Sequence, residues 1–304
     1  MNKYNRKKEY VKTRIKRNRR RKRKRRFITF ILISIILIIS IIKITKIIDE
    51  KVMSNEEFNT NTGFGEDDNF KKGSIESKVI DILKEEKNKH GILKNIDEYP
   101  KEILELLIKN PETIDYVGDY LKRYPAKGNG SDINVEKDYV KGEIPLFLQW
   151  DKRWGYYDYG NKPMAMTGCG PTALSMVVVG LTGDITMNPK KVADISYKQG
   201  YLVENKGSSW TLMSEGARYF GLRARELPLT ENNIKITLKR GVPIVASMGP
   251  GEFTTTGHYI VLTDITEDGK ILVNDPNSRK RSDMKWAIDV FMEETKNLWE
   301  FKKL

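Results

Sequence analysis

Apolar residues recur at helical spacing between residues 74 and 124. They occupy one helix face from Ile75 to Leu83, and further apolar clusters follow Pro100 and Pro111. Apolar positions spaced three and four apart indicate an amphipathic helix, and proline is favoured in a first helical turn. The pattern predicts a three-helix segment over 74–124, which we expect to pack as a spacer on the domain that follows.

Polar segments without hydrophobic periodicity flank this helical segment. Residues 49–73 are rich in Asn, Glu, Asp, Thr and Gly, and residues 125–138 read PAKGNGSDINVEKD. Both compositions are typical of solvated linkers. Residues 139–304 mix strand-like and helical patterns over 166 positions, enough to bury a normal core. We expect a separate domain there.

The longest uncharged apolar run lies near the N-terminus, at residues 27–42. As a helix it spans about 24 Å, less than the ~30 Å hydrocarbon core, but extension to Ile48 gives about 33 Å. The preceding residues 1–26 hold 16 Lys or Arg side chains and one acid. Such a block stays inside, and no small-residue cleavage motif follows the run. We predict a basic cytoplasmic tail over 1–26, an uncleaved signal anchor over 27–48 and an extracellular C-terminal part.

The formal net charge of +13 invites a nucleic-acid interpretation. The excess lies in the basic tail, because residues 27–304 hold 38 basic and 40 acidic side chains. A nearly neutral domain does not favour nucleic acid as a partner, whereas a basic tail beside an apolar run favours anionic lipid. We therefore expect a membrane, and no nucleic acid, among the partners.

One cysteine and two histidines are too few for a typical zinc site, and a single cysteine forms no internal disulfide. We expect no metal and no cofactor. Cys169 lies between two glycines in TGCGPTALSMVVVGLTG, two residues before Pro171. This pattern predicts a helix that begins at the thiol, where the helix dipole and free N–H groups favour the thiolate. The alternative is a buried structural cysteine.

A thiolate nucleophile requires a base, usually histidine, and a group that orients the base. His258 begins the strand-like run HYIVLTDI, and a second run, KILVND, ends at Asp275. If 258–264 pairs with 269–275 around a four-residue loop, His258 lies directly opposite Asp275 at about 5 Å. A tighter turn would place Asp275 opposite Leu262, about 13 Å along the sheet from His258. The sequence leaves both registers open.

Acyl transfer also needs an oxyanion hole, usually formed by a backbone N–H and a side-chain amide. The Cys169 N–H at the predicted helix start is one candidate donor. Gln149, in IPLFLQWDKRW, is the nearest upstream amide. The candidate catalytic residues are therefore Cys169, His258, Asp275 and Gln149.

Four motifs carry a resemblance to a known family: IPLFLQWDKRWGYYDYG, MAMTGCGPTALSMV, GHYIVLTDI and ILVNDPNS. Over about 140–304 the chain resembles papain-like cysteine peptidases of the bacteriocin-processing, double-glycine-leader type, in the stand-alone branch called peptidase family thirty-nine-like. The resemblance implies an α+β papain-like fold, with the cysteine helix packed on an antiparallel sheet that carries histidine and aspartate. It implies that Cys169 is the nucleophile, His258 the base, Asp275 the orienting group and Gln149 the oxyanion donor. The upstream IKNPETIDYVGDYLKRYP looks like a lead-in found in Gram-positive bacteria.

The predicted topology departs from that of transporter-fused leader peptidases, which act on the cytoplasmic side. The sequence predicts a membrane-anchored extracellular cysteine peptidase that hydrolyses an amide bond in an exported peptide or protein, or in a peptidoglycan peptide. A transferase using the same thioester and a scaffold that recruits a partner through 74–124 stay open. So does a non-catalytic surface module that binds a peptide or glycan in the same cleft, although the complete Cys, His and Asp set counts against it.

Overall fold

The computed structural model describes residues 73–85, 91–204 and 206–304. The predicted basic tail, the predicted anchor and residues 49–72 of the first linker lie outside these ranges. None of the helices within the described ranges is long and apolar enough to cross a membrane.

Ten α-helices and eight strands follow one another along the described residues. The helices are α1 Ile75–Glu85, α2 Lys101–Lys109, α3 Ile114–Arg123, α4 Met164–Thr167, α5 Cys169–Thr182, α6 Pro189–Lys198, α7 Thr211–Ser214, α8 Glu231–Lys239, α9 Arg279–Ser282 and α10 Ile288–Glu294. The strands are β1 Leu202–Val203, β2 Gly207–Ser208, β3 Leu222–Glu226, β4 Ile244–Met248, β5 His258–Ile265, β6 Ile271–Asn274, β7 Lys285–Trp286 and β8 Thr295–Lys303. Short 3-10 helices lie at Leu93–Glu98, Pro111–Thr113, Glu136–Asp138 and Gly216–Phe220.

Helices α1, α2 and α3 account for the helical pattern of residues 74–124. Their apolar faces share one buried cluster with side chains of the following domain, including Tyr156 and Ala165. The rings of Tyr116 and Tyr156 stack with their centroids 4.5 Å apart. The Tyr116 hydroxyl donates to the Gly155 carbonyl at 3.1 Å, and the Tyr156 hydroxyl donates to the Tyr116 carbonyl at 2.9 Å. The helical segment is therefore packed and hydrogen-bonded against the domain.

The segment 125–138 contains one short 3-10 helix and is attached to the domain along its length. Val135 is fully buried, and the Asn188 amide donates to the Ile133 carbonyl at 3.1 Å. The Arg153 guanidinium bridges to the Asp138 carboxylate at 2.6 Å. This polar stretch is therefore packed against the surface of the domain.

A six-stranded sheet with the order β3-β8-β4-β5-β6-β7 forms the centre of the domain, and all of its pairs are antiparallel. Side chains alternate between its faces, as the two-residue period of a strand requires. Val245 and Val261 join the cluster formed with α5, whereas Ile244 and Ala246 join the cluster formed with α8. Strand β4 is buried throughout because it is covered on both faces. The predicted α+β class with an antiparallel sheet is confirmed.

Helix α5 begins at the thiol, as the sequence predicts. It runs from Cys169 to Thr182 and ends at Gly183, whose φ of 74° places it in the left-handed conformation common at helix C-termini. Its residues are buried from Gly170 to Val179, which explains why TALSMVVVG has almost no polar face. The helix lies buried in the core of the domain and carries Cys169 in its first turn.

Candidate active site

Cys169 lies at the N-terminus of α5 and is half-buried as a residue. It interacts with the His258 side chain and with backbone groups of Tyr259 and Gly170. Burial by itself raises the pKa of a thiol, but the hydrogen bond and charge of His258, with these backbone contacts, lower the pKa of Cys169 below its ordinary value. The site therefore favours the thiolate.

His258 lies between the thiol and a buried carboxylate. Its Nε2 is 2.7 Å from Oδ1 of Asp275, and the two residues are 8% and 0% exposed. Burial disfavours the imidazolium, yet the Asp275 charge and hydrogen bond, aided by Cys169, raise the pKa of His258 to about 10. Burial likewise opposes ionisation of Asp275, but the charges of His258 and Arg281 hold the pKa of its carboxyl below the usual value. The three side chains are mutually stabilised in their charged forms.

The register of the β5–β6 hairpin differs from both expectations. Val261 pairs with Asn274 and Leu262 with Val273. A bulge between Leu262 and Asp264 changes the register by one residue in the part of the hairpin nearer the turn. One step beyond the last pair, Asp275 falls level with Ile260, so the prediction that it directly opposes His258 is wrong. The tighter-turn alternative is wrong too. The histidine and the aspartate are diagonal neighbours on one face, a separation that long side chains can bridge.

A loop after β6 supplies Asp275 with further hydrogen bonds that the sequence did not predict. Arg281 Nε donates to Oδ2 at 2.5 Å, and the backbone N–H of Asn277 donates to Oδ1 at 2.7 Å. The Asp275 N–H in turn donates to the Ser282 hydroxyl at 2.9 Å. Arg281 lies within NSRKRSD, which resembles an ordinary exposed charged run. Only Ser278 gives a local signal, because serine is a preferred helix cap.

Gln149 is buried beside the short helix that leads into the thiol. Its Nε2 donates to the Ala165 carbonyl at 2.7 Å, and its backbone N–H donates to the Pro276 carbonyl at 2.6 Å. An amide nitrogen carries two hydrogens, so one remains for an oxyanion. Its Oε1 is buried and has no partner among the described residues. The Cys169 N–H belongs to the first turn of α5, whose N–H groups have no acceptor within the helix. The proposed oxyanion role of Gln149 stays a prediction.

Ser208 links two tyrosines close to the thiol. The Tyr159 and Ser208 hydroxyls are 2.9 Å apart, and the Tyr259 hydroxyl donates to the Ser208 carbonyl at 3.1 Å. A Cβ on Gly170 would lie 2.4 Å from the Ser208 hydroxyl oxygen, and one on Gly168 would lie 2.6 Å from a backbone oxygen. The two glycines beside Cys169 are thus required by close packing.

Fold and side-chain cluster together have the form of a papain-like cysteine peptidase. The model of the Peptidase_C39 like family matches residues 141–303, more than half of the chain. The chain belongs to this family, and its activity is accordingly that of a peptidase.

Two of the solved structures that are similar to the chain come from transporters. One is a double glycine motif protease from an AMS/PCAT transporter in complex with the leader peptide, at 19% identity and a TM-score of 0.35, covering 54% of this chain and 94% of that one. The other is the peptidase domain of Streptococcus ComA, a bi-functional ABC transporter, at 16% identity and a TM-score of 0.34, covering 46% and 93%. No curated protein matches the chain.

Proposed function

We propose that this protein is a membrane-anchored cysteine peptidase that cleaves an amide bond in a peptide outside the cell, using Cys169, His258 and Asp275. The observation that supports this most is the position of His258, which interacts with the thiol while its Nε2 lies 2.7 Å from the buried Asp275 carboxylate. Because Nε2 is engaged by the carboxylate, Nδ1 is the nitrogen left to exchange a proton at the thiol.

The reaction begins when the Cys169 thiolate attacks the amide carbonyl carbon. A C–S bond forms, and negative charge moves to the carbonyl oxygen, where the free hydrogen of Gln149 Nε2 and the Cys169 N–H would stabilise it. The intermediate collapses with cleavage of the C–N bond, and the His258 imidazolium gives its proton to the leaving amine. The acyl group is now held as a thioester.

Water completes the cycle. Neutral His258 takes a proton from a water molecule, which attacks the thioester carbonyl and releases the acid product. Cleavage of the C–S bond restores the thiolate, and the proton kept by His258 restores the imidazolium. Asp275 stays ionised throughout, since its part is to orient the ring and stabilise its positive charge.

The proposed location follows from the sequence. A long apolar run after a strongly basic tail orients a chain with its N-terminus inside, which would place the peptidase domain outside. Substrates at that surface include exported peptides or proteins and the peptide stems of peptidoglycan. A peptide ligand is consistent with membership of a peptidase family.

The test is cleavage by the purified full chain, kept in detergent because of its apolar run, of a mixed peptide library and of intact peptidoglycan under reducing conditions. Mass spectrometry of the products would identify new peptide termini. We expect them from the wild type, with a loss on the order of 10⁶-fold in Cys169→Ala. Equal cleavage by both chains would contradict the proposal. A folded wild type that cleaves nothing would favour the non-catalytic binding module.

A further inference from the structure

The turn at residues 110–113 of the helical segment contacts the loop that carries Asp275. Asn110 is 8% exposed, and its Nδ2 donates to the Asn277 carbonyl at 2.5 Å. Its Oδ1 accepts the Glu112 N–H at 3.2 Å, which fixes the start of the 3-10 helix Pro111–Thr113. The turn is therefore held against the loop and presents Glu112 to it.

The Glu112 carboxylate accepts hydrogen bonds from the first donors of α9. Its Oε2 accepts the backbone N–H of Arg279 at 2.8 Å and that of Lys280 at 3.2 Å, and its Oε1 accepts the Ser278 hydroxyl. All hydrogen bonds of this side chain within the described residues go to that loop. A carboxylate at a helix N-terminus both satisfies free N–H groups and complements the helix dipole.

Helix α9 has four residues, Arg279–Ser282, too few to be stable without partners at its ends. It nevertheless holds Asp275 from two directions. Arg281 donates to the Asp275 carboxylate, and the Ser282 hydroxyl accepts the Asp275 N–H. A continuous set of hydrogen bonds thus joins Glu112 to α9, α9 to Asp275 and Asp275 to His258.

We propose that Glu112 is a positioning residue for Asp275, so that the upstream helical segment is part of the catalytic machinery instead of a spacer. This inference rests on the proposed function, because it assigns a purpose to the orientation of Asp275. Glu112 would act through α9 and would touch neither the substrate nor the reacting atoms.

The ionisation of the thiol reports on this arrangement directly. The ionisable groups around the imidazole are Cys169 on α5 and Asp275 after β6, with Tyr159 and Tyr259 close to the thiol and Arg281 on the far side of the carboxylate. If Asp275 is displaced, it stabilises the positive charge on His258 less, and the imidazolium loses its proton more readily. The Cys169 thiolate is then stabilised less by that charge. The alkylation rate of the only cysteine in the chain then falls at acidic pH.

The experiment is the rate of iodoacetamide alkylation of Cys169 in the full chain between pH 4 and 10, for the wild type, Glu112→Ala and Glu112→Gln. Each chain's melting temperature is recorded as well. We expect the midpoint of the Glu112→Ala alkylation profile to lie about one pH unit above that of the wild type, so that alkylation below the midpoint is slower by about tenfold. Glu112→Gln keeps the shape and one acceptor oxygen, so we expect a smaller loss in the same direction.

Glu105→Gln is the matched control, because Glu105 lies on α2 of the same segment and, in the part of the chain that the structure describes, pairs with Lys109 alone, at the surface and at 3.3 Å. We expect it to keep the wild-type profile. Wild-type profiles in both Glu112 variants, whatever their melting temperatures, would overturn the inference, and Glu112→Gln alone decides if Glu112→Ala does not fold. A wild type that reacts as an ordinary thiol would instead overturn the proposed function, and with it this inference.

Discussion

At the scale of single residues, the charge states of three side chains determine what the site does. Cys169 has a lowered pKa, His258 a raised one and Asp275 a lowered one, each opposed by burial and favoured by its neighbours. The thiolate forms once the pH exceeds the lowered thiol pKa, and the imidazolium persists until the pH passes the raised His258 pKa. Activity should therefore rise and then fall with pH, with both limbs belonging to the coupled set of groups.

Asp275→Asn should move the alkaline limb of the kcat/KM profile to lower pH. Removal of the carboxylate charge takes away the main attraction that raises the His258 pKa, so the imidazolium is lost earlier, by about 1–3 pH units. We also expect kcat/KM to fall by at least about tenfold, because the amide nitrogen would face the Arg281 donor. The profile is measured with any peptide that the wild type cleaves.

Asp283→Asn is a matched control, since Asp283 is exposed just beyond α9. It should leave both limbs in place. An alkaline limb that stays at the wild-type pH in Asp275→Asn would show that the carboxylate does not set the ionisation of His258.

At the scale of elements, the contact between α5 and β2 sets the position of the thiol. Helix α5 approaches β2 closely enough that a Cβ on Gly170 would meet Ser208 side-chain atoms at 2.4 and 2.6 Å. The Ser208 hydroxyl also lies 2.9 Å from that of the buried Tyr159, so it has little freedom to move aside.

Gly170→Ala should therefore destabilise the domain by about 1–3 kcal/mol, the usual cost of adding a methyl group to a packed interior. Urea unfolding followed by circular dichroism would measure the change. Gly257→Ala is the control, because a Cβ there would meet only a backbone oxygen at 4.0 Å. Equal stability of Gly170→Ala and the wild type would mean that α5 and β2 are not closely packed.

The elements that carry the site could be predicted from the sequence in part. Apolar periodicity and glycine and proline positions were enough to predict where α5 begins, and strand patterns were enough to place His258 on one strand and Asp275 at the end of the neighbouring one. The bulge between Leu262 and Asp264 was not predictable, because a strand with one extra residue has the same local sequence pattern as a regular strand. The His258–Asp275 contact survives because both side chains still share a face.

At the scale of the whole molecule, the helical segment and the peptidase domain fall within one compact unit, Phe70–Leu304. Several of the contacts that join them link residues more than 160 positions apart, such as Glu112 with Arg279. The Asn110 amide adds to them by donating to the Asn277 carbonyl at 2.5 Å. No local pattern encodes such pairs. The resemblance carried by the four motifs could not provide them either, since it covers the domain without the segment.

The central claim is that Cys169 forms a thioester with the acyl part of a cleaved peptide. The most direct measurement is cleavage by the full chain in the presence of hydroxylamine, a nucleophile that competes with water for a thioester. We predict that the N-terminal product appears partly as a hydroxamate, in a share that rises with hydroxylamine concentration, and that Cys169→Ala forms neither product. Cleavage that yields only the acid at every hydroxylamine concentration, or that persists in Cys169→Ala, would contradict the account.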